Sequence, residues 1–445
     1  MITSPPHFFF TAPWEPVPVR RGDALGLGAL ADQFADAVAP DLSNRISDGR
    51  WVTLLAWSLV QSQQVFHACG GRAVITRSEQ NQRYAWLRPL ELMWVARTIS
   101  LLEKDDWKQR PLPGRRRVAP WLTKQTADRF GMTAEQFRAY RQTGTYGGYR
   151  RAFRKWPGLT TGDGWTPGSQ SIALARWLDS KLKGASLQLG SDLSRSAKLG
   201  RGKEQTWWLN HWPTFAQSDK VAELNTLPRK RDDFSVLPEA QLLKPLLFGN
   251  DSSGMRRLSM VQAIAKSNAT EPQMLCQYLS RHFQNDPTIT RLAAFSRLAD
   301  AGLAAMDLVA QVLNGQPEVA LTEVAKLGAA KSICKELHAA ALAWLAEPEM
   351  ALRHVDAAGR FAQAITTDQP IACLRQLLRH HETYGGGLRW FVLRDDHVEA
   401  RTPSTNVAAR YGFRLWSLCR LAVQCGVLTT MPKALHDDTD WEEDE

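Results

Sequence analysis

The residues best suited to binding chemistry are basic side chains between positions 133 and 156, where the sequence predicts two short helices. Thr133 and Gln136 have the spacing of a capping box that opens the first helix, and the glycine-rich stretch 143–148 is expected to end it. The second helix carries two pairs of like charge four residues apart, Arg150 with Arg154 and Arg151 with Lys155. Because like charges at this spacing repel each other, the pattern favours an anionic partner.

The opposite face of the second helix is aromatic. Tyr149, Phe153 and Trp156 recur at positions i, i+4 and i+7, and Pro157 ends the pattern. Such spacing predicts a stripe of side chains that packs into a core. The helix should therefore bury its aromatic residues and present its basic residues to solvent.

A second basic run, 115–117, follows a turn-forming segment, 111–114, and can extend the same phosphate-binding surface. Tyr146 lies among glycines, and both stacking on exposed bases and packing onto the protein stay open for it. Packing is expected for Tyr149, given its place in the aromatic stripe. The candidate DNA-binding residues are Arg115, Arg116, Arg117, Arg138, Arg141, Tyr146, Arg150, Arg151, Arg154 and Lys155.

The charge distribution also favours a polyanionic partner. The formal net charge is +10, although the last nine residues, 437–445, contain seven acids. Without that tail, 55 basic residues stand against 38 acidic ones, which leaves a body of +17. Nucleic acid is the expected partner, and a surplus that only maintains solubility is the alternative. The acidic tail is interpreted as a disordered solubiliser or as a weak competitor for the basic face.

Motifs for catalysis are missing from the sequence. There is no P-loop, H-E-x-x-H or G-x-S-x-G, and E-x-K does not occur. D-x-K occurs at Asp106/Lys108 and Asp179/Lys181, on expected solvated faces. His380 and His381 would point about 100° apart on a helix, which disfavours shared metal ligation, and they are interpreted as helix-terminal or surface residues. No catalytic residue, metal or cofactor is therefore predicted.

The six cysteines form no C-x-x-C pair, and several lie in apolar helical patterns. They are predicted to be reduced, buried and structural. Their positions are Cys69, Cys276, Cys334, Cys373, Cys419 and Cys425.

The predicted fold class is mainly α, a multidomain helical protein with a small C-terminal β-hairpin. The hairpin joins 388–393 to 397–400, and a helix should follow from about Ala409 to Cys425, ending at Gly426. Hairpin and helix together suggest a winged-helix-like element or a simple capping subdomain. The predicted regions are a Trp- and Arg-rich helical domain (1–185), a linker with a Trp-rich middle segment (186–254), an Ala- and Leu-rich helical domain (255–436) and the acidic tail.

The longest apolar run, 52–60, is about half the length of a membrane span. The N-terminal residues also lack a positive region and a signal-peptide cleavage pattern. No membrane association is predicted, and a cytoplasmic location is expected.

Five sequence segments carry a resemblance to a group of known proteins. They are Asn44-Arg45, Arg50-Trp51, Arg83-Tyr84-Ala85-Trp86-Leu87-Arg88, Tyr140-Arg141-Gln142-Thr143-Gly144 and Gly162-Asp163-Gly164-Trp165-Thr166-Pro167-Gly168. Over about the first 180 residues the chain resembles helical proteins encoded in bacterial antiphage defence islands beside helicases and nucleases. The resemblance implies an accessory subunit that binds DNA or a protein partner, while another subunit supplies the hydrolysis.

The expected function is thus a non-enzymatic DNA-binding or scaffold subunit of a multi-protein antiphage defence complex. Two alternatives stay open. One is a metal-dependent nucleic-acid enzyme whose carboxylates come together only in the fold, and the other is a protein-interaction adaptor for a helicase or nuclease.

Overall fold

The mainly α-helical fold class is confirmed by a computed structural model of the chain. The structure describes residues 23–43, 45–68, 145–161, 164–182, 227–313, 316–348, 352–385, 390–400 and 411–436, with scattered positions between 87 and 119. Thirteen α-helices and one three-stranded antiparallel sheet lie within these residues. The acidic tail and residues 186–226 of the predicted linker and middle segment (186–254) lie outside them.

The elements are numbered here in chain order. The helices are α1 (Gly28–Val38), α2 (Gly49–Ala68), α3 (Thr145–Lys155), α4 (Ser169–Lys181), α5 (Ala240–Phe248), α6 (Ser252–Lys266), α7 (Pro272–His282), α8 (Leu292–Leu313), α9 (Leu321–Lys326), α10 (Gly328–Leu345), α11 (Val355–Ala364), α12 (Pro370–Tyr384) and α13 (Leu415–Gln424). The strands are β1 (Glu318–Ala320), β2 (Phe391–Arg394) and β3 (His397–Ala400).

The chain divides into two compact units, each built from separated segments. Unit one comprises Met1–Ala29, Leu298–Ala346 and Asp356–Arg410. Unit two comprises Leu30–Arg297, Glu347–Val355 and Tyr411–Glu445. The sheet belongs to unit one, and the basic helix α3 belongs to unit two.

The predicted β-hairpin is confirmed in unit one. Strands β2 and β3 pair antiparallel, with Phe391 opposite Ala400 and Arg394 opposite His397. Asp395 takes a positive φ of 52° at the turn, a conformation that Asp adopts more readily than most residues. The helix that packs against β2 is α12. The winged-helix interpretation, which pairs the hairpin with the following helix, therefore stays a prediction.

Strand β1 pairs with the edge of β3 that β2 leaves open, and the sequence pattern did not predict this strand. It has only three residues, Glu318–Ala320, and it places β3 at the centre of the sheet. Three residues are too few to display the alternation by which strands are recognised. Pairing with β3 therefore determines this strand, and its own sequence pattern does not.

Helix α8 confirms the prediction made from its regular apolar spacing. Every member of the predicted stripe is buried: Leu292, Phe295, Ala299, Leu303, Met306, Ala310 and Leu313. Gly302 allows close packing within unit one, because a Cβ atom there would lie 2.8 Å from Leu25 Cδ1 and 2.9 Å from Phe361 Cζ. The described cysteines are free, buried thiols, as predicted: Cys276, Cys334, Cys373, Cys419 and Cys425. Cys69 lies outside the described residues.

Helix α13 ends as predicted and begins later than predicted. Gly426 follows its last turn with a φ of 67°, the left-handed conformation of a helix-ending glycine. Phe413 and Arg414 also have positive φ values, 48° and 60°, so a right-handed helix cannot include them. The helix therefore starts at Leu415, and Ala409 lies outside the described residues.

Of the two interpretations of His380 and His381, the helix-terminal one fits, because both lie near the end of α12, and the surface one is wrong. His380 and His381 are buried, and each binds a backbone carbonyl, His380 Nε2 that of Leu25 at 3.0 Å and His381 Nδ1 that of Ala24 at 2.7 Å. His381 Nε2 also accepts a hydrogen bond from Trp390 N at 3.0 Å, which fixes its proton on Nδ1. Both rings therefore anchor the N-terminal segment of unit one.

Acidification should destabilise unit one through His380. Burial lowers the pKa of His380, and the positive charge of Arg360 adds to this effect, whereas the hydrogen bond to Leu25 opposes it. Below the ordinary value of 6.5, the unfolded chain binds this proton more readily than the folded chain, so stability falls as the pH falls. His380→Gln retains an amide donor and does not titrate. Its melting temperature should decline less than that of the wild type between about pH 8 and pH 5. Equal declines would contradict the assignment.

The described part of the chain contains no helix with both the length and the apolar composition required to cross a membrane.

Candidate nucleic-acid interface

Helix α3 begins at Thr145, inside the glycine-rich stretch expected to separate the two helices, so the second helix starts earlier than predicted. The first predicted helix, from Thr133, lies outside the described residues. The buried carboxylate of Glu91 accepts a hydrogen bond from Tyr146 N at 3.0 Å, and this contact satisfies a backbone donor in the first turn. Gly148 lies inside the helix, where a Cβ atom would lie 2.9 Å from Arg45 Cβ. Here glycine therefore provides space for a neighbouring segment.

The predicted aromatic stripe of α3 is confirmed, because Tyr149, Phe153 and Trp156 are all buried. The Tyr149 hydroxyl donates to Asp48 O at 3.0 Å and accepts from Asp48 N at 3.2 Å. Burial raises the pKa of Tyr149, so its hydroxyl stays protonated. These contacts fix one face of α3 within unit two.

Tyr146 packs inside the protein, which corrects its assignment to the DNA-binding residues. Its side chain is fully buried, with ring centroids 5.0 Å from Trp165 and 5.5 Å from Phe153. Its hydroxyl donates to the carbonyl of Gly164. The ring has no exposed face on which a base could stack.

The four basic residues of α3 have different surroundings. Arg150 is half-buried, with its guanidinium 5.8 Å from the centroid of Trp165. Arg151 forms an ion pair with Asp36 at 2.9 Å, and both side chains are 40% exposed. Arg154 and Lys155, in the last turn, are exposed. Neither pairs with an acid in the described part of the chain, so these two are the most accessible to an anion.

The remaining candidates lie around the basic run 115–117. Arg115 is half-exposed, and its Nη1 donates to Lys108 O at 2.9 Å. This contact uses Nη1, and the guanidinium has further N–H donors. Four candidates lie outside the described residues: Arg116, Arg117, Arg138 and Arg141.

A buried polar network in unit two was missed by the sequence analysis. Its centre is the carboxylate of Asp48, which accepts from Arg50 N at 3.0 Å, Gln424 Nε2 at 3.1 Å and Arg229 N at 2.8 Å. These partners come from segments almost 400 residues apart, so no local spacing predicts their contact. The network holds the segment before α2, and that segment binds the Tyr149 hydroxyl.

A buried ion pair adjoins this network. Arg50 Nη2 lies 3.1 Å from Glu239 Oε2, and both side chains are fully buried. Thr53 Oγ1 donates to Glu239 Oε1 at 3.0 Å, and the Arg50 guanidinium lies 5.4 Å from the ring centroid of Trp177. Burial lowers the pKa of Arg50 and raises the pKa of Glu239, although each charge stabilises the other. A pair without solvent access connects elements and does not bind a soluble ligand.

Among the residues that the structure describes, no three His, Cys, Asp or Glu side chains form a group that could hold a metal ion. Asp179, from one of the two D-x-K patterns, accepts a hydrogen bond from Trp57 Nε1 at 2.6 Å. Burial raises the pKa of Asp179, and the bond to Trp57 opposes that shift. Its carboxylate thus packs α4 against α2.

No protein-family model, curated protein or solved structure matches this chain.

Proposed function

We propose that this protein is a non-enzymatic DNA-binding subunit that contacts the phosphate backbone through α3. The observation that carries the proposal is the division of that helix into two faces. Its aromatic face is buried, whereas Arg154 and Lys155 extend into solvent without acidic partners among the described residues. Lysine and arginine in this arrangement suit phosphate contacts, which carry no sequence information. The body charge of +17 favours the same class of partner.

Arg151 can join the interface by exchanging its partner. Its ion pair with Asp36 is 40% exposed on both sides, and pairs of this kind contribute about 0–1 kcal/mol. Arg151 Nε also lies 3.9 Å from Asp41 Oδ1, so a phosphate must displace two acids there. Arg150 is held beside Trp165 and contributes through its charge more than through direct contact.

The proposed setting is a bacterial antiphage defence complex in the cytoplasm, where a helicase or nuclease subunit supplies the hydrolysis. The sequence resemblance supports this setting. A metal-dependent nucleic-acid enzyme is the alternative, and Mg²⁺-dependent DNA cleavage by the purified chain would support it.

The double substitution Arg154→Ala/Lys155→Ala should weaken binding to duplex DNA by about tenfold or more at about 0.1 M salt, because each phosphate contact releases close to one counterion. Fluorescence anisotropy with a labelled duplex measures this change. Alanine is a strong helix former and the aromatic face is untouched, so the melting temperature should stay the same.

The matched control is Lys331→Ala/Lys335→Ala. It removes the same charge from exposed positions on helix α10 of unit one. This control should retain DNA affinity close to that of the wild type. Equal losses in the two double variants would show that net charge, and not α3, determines binding.

A protein-interaction adaptor is the second candidate function, and exposed leucines on α10 favour it. Leu342 and Leu345 lie one turn apart and are 54% and 44% exposed. Apolar side chains grouped at a surface are typical of protein contacts. DNA binding separates the candidates: an isolated chain that binds no DNA, and that loses a protein partner on Leu342→Ser, would be an adaptor.

A further inference from the structure

A groove in unit one lies between helices α11 and α12, and none of the residues used above for DNA binding lines it. Its volume is about 430 Å³, and it is shallow and largely open to solvent. The residues that matter for its chemistry are Arg360, Gln363, Arg379, His380, Thr383 and Tyr384. No acidic residue is among those that line it.

Two arginines, one from each helix, give the groove its charge. Arg360 and Arg379 are both exposed, and neither forms an ion pair with a carboxylate of the described residues. Asp356 lies one turn before Arg360 without bonding to it. The Arg360 guanidinium is positioned 5.3 Å from the ring centroid of Tyr384. The groove therefore presents two guanidinium groups that form no ion pair with a carboxylate of the described residues.

The floor of the groove is aromatic. The His380 ring lies 4.9 Å from Tyr384 and 4.8 Å from Phe361, measured between ring centroids. His380 Nε2 is occupied by the carbonyl of Leu25, which holds this ring in place. Tyr384 is 46% exposed, so part of its ring faces the solvent in the groove. An occupant would thus find cations beside an apolar surface.

We propose that this groove binds a small organic phosphate, with the phosphate held by Arg360 and Arg379 and the organic part against Tyr384. Guanidinium groups match the geometry of phosphate oxygens and form charge-assisted hydrogen bonds to them. The groove is larger than a bare phosphate ion requires, and its aromatic floor suits an unsaturated ring. This site is independent of the proposed DNA interface, because all of its residues belong to unit one.

Phenyl phosphate is the probe that combines both features, and isothermal titration calorimetry on the full chain measures its binding. A dissociation constant of about 1 mM or lower is expected for a ligand of this size. Inorganic phosphate should bind about fivefold more weakly or worse, because it lacks the ring. Arg360→Gln and Arg379→Gln should each weaken phenyl phosphate binding about tenfold, through loss of charge-assisted hydrogen bonds.

Arg375→Gln is the matched control. Arg375 lies on the same helix but pairs with Asp396 and does not line the groove. This variant should bind phenyl phosphate as the wild type does. Arg379→Lys keeps the positive charge but loses the planar guanidinium, and it should bind phenyl phosphate with intermediate affinity. This variant distinguishes the effect of charge from that of geometry, even if a glutamine variant folds poorly.

Three outcomes would overturn the proposal. They are no saturable binding of phenyl phosphate up to about 10 mM, unchanged binding in both glutamine variants, and inorganic phosphate binding as tightly as phenyl phosphate. The last would identify a simple anion site. Loss of DNA binding in the glutamine variants, without phenyl phosphate binding to the wild type, would instead assign the groove to nucleic acid.

Discussion

Replacing Glu239 with alanine should lower the unfolding free energy of unit two by about 3–5 kcal/mol, because it leaves a buried guanidinium without its counter-charge. Arg50 is fully buried. Among the described residues, Glu239 is the one acid with which its Nη2 forms an ion pair. In the part of the chain that the structure describes, none of its three guanidinium nitrogens has a hydrogen-bond acceptor that could compensate. Urea unfolding followed by circular dichroism measures the loss.

The double variant Arg50→Met/Glu239→Leu is the control for this result. It removes both charges and fills much of the same volume with apolar atoms, which in other proteins has been neutral or stabilising. It should recover most of the stability lost in Glu239→Ala. A loss below about 1 kcal/mol in the single variant, the range of exposed ion pairs, would show that water reaches the pair.

Phe153→Ala should destabilise unit two by about 3–5 kcal/mol, the usual cost of removing a buried phenyl ring. Phe153 is fully buried on α3 and contacts the ring of Tyr146. Arg154→Ala, one residue further, removes an exposed side chain and should change stability by less than about 0.5 kcal/mol. The same urea unfolding experiment measures both.

The contrast between these neighbouring positions tests the two faces of α3. If Phe153→Ala were as stable as the wild type, the aromatic stripe would not belong to the core. If Arg154→Ala were strongly destabilised, its side chain would be structural, and the proposed phosphate contact would lose its basis.

Features with a local signal could be predicted from the sequence. The aromatic stripe of α3 repeats with the helical period, and two short runs on either side of a polar turn form the β-hairpin. The last turn of α13 is followed by Gly426 in the conformation expected. In each case residues within a few positions of one another determine the structure.

Features that depend on distant partners could not be predicted. Helix α3 starts at Thr145, within the stretch expected to separate the two helices, because Glu91 binds its first turn. Tyr146 is buried because it packs against Trp165, and His380 is buried because the carbonyl of Leu25 satisfies its ring. Their sequence neighbourhoods are polar or glycine-rich and carry no signal of burial.

Helix α2 also contains buried polar residues that its sequence pattern does not predict. Its apolar residues Trp51 and Leu55 are buried, yet polar residues of the same helix, Arg50, Thr53 and Ser58, are buried too. Ser58 donates to the carbonyl of Leu54 in its own helix, whereas Arg50 depends on Glu239, almost 190 residues away. A helical pattern indicates one apolar face but gives no sign that the polar face is also covered.

The salt dependence of duplex DNA binding tests the central claim most directly. Affinities of the wild type and of Arg154→Ala/Lys155→Ala should be measured by fluorescence anisotropy over a series of salt concentrations. The wild-type affinity should fall steeply with salt, and the variant slope of log K against log salt should be shallower by about 1.8, which corresponds to two lost phosphate contacts. A wild-type affinity that does not change with salt, or equal slopes for the two proteins, would contradict the proposal that α3 binds the DNA backbone.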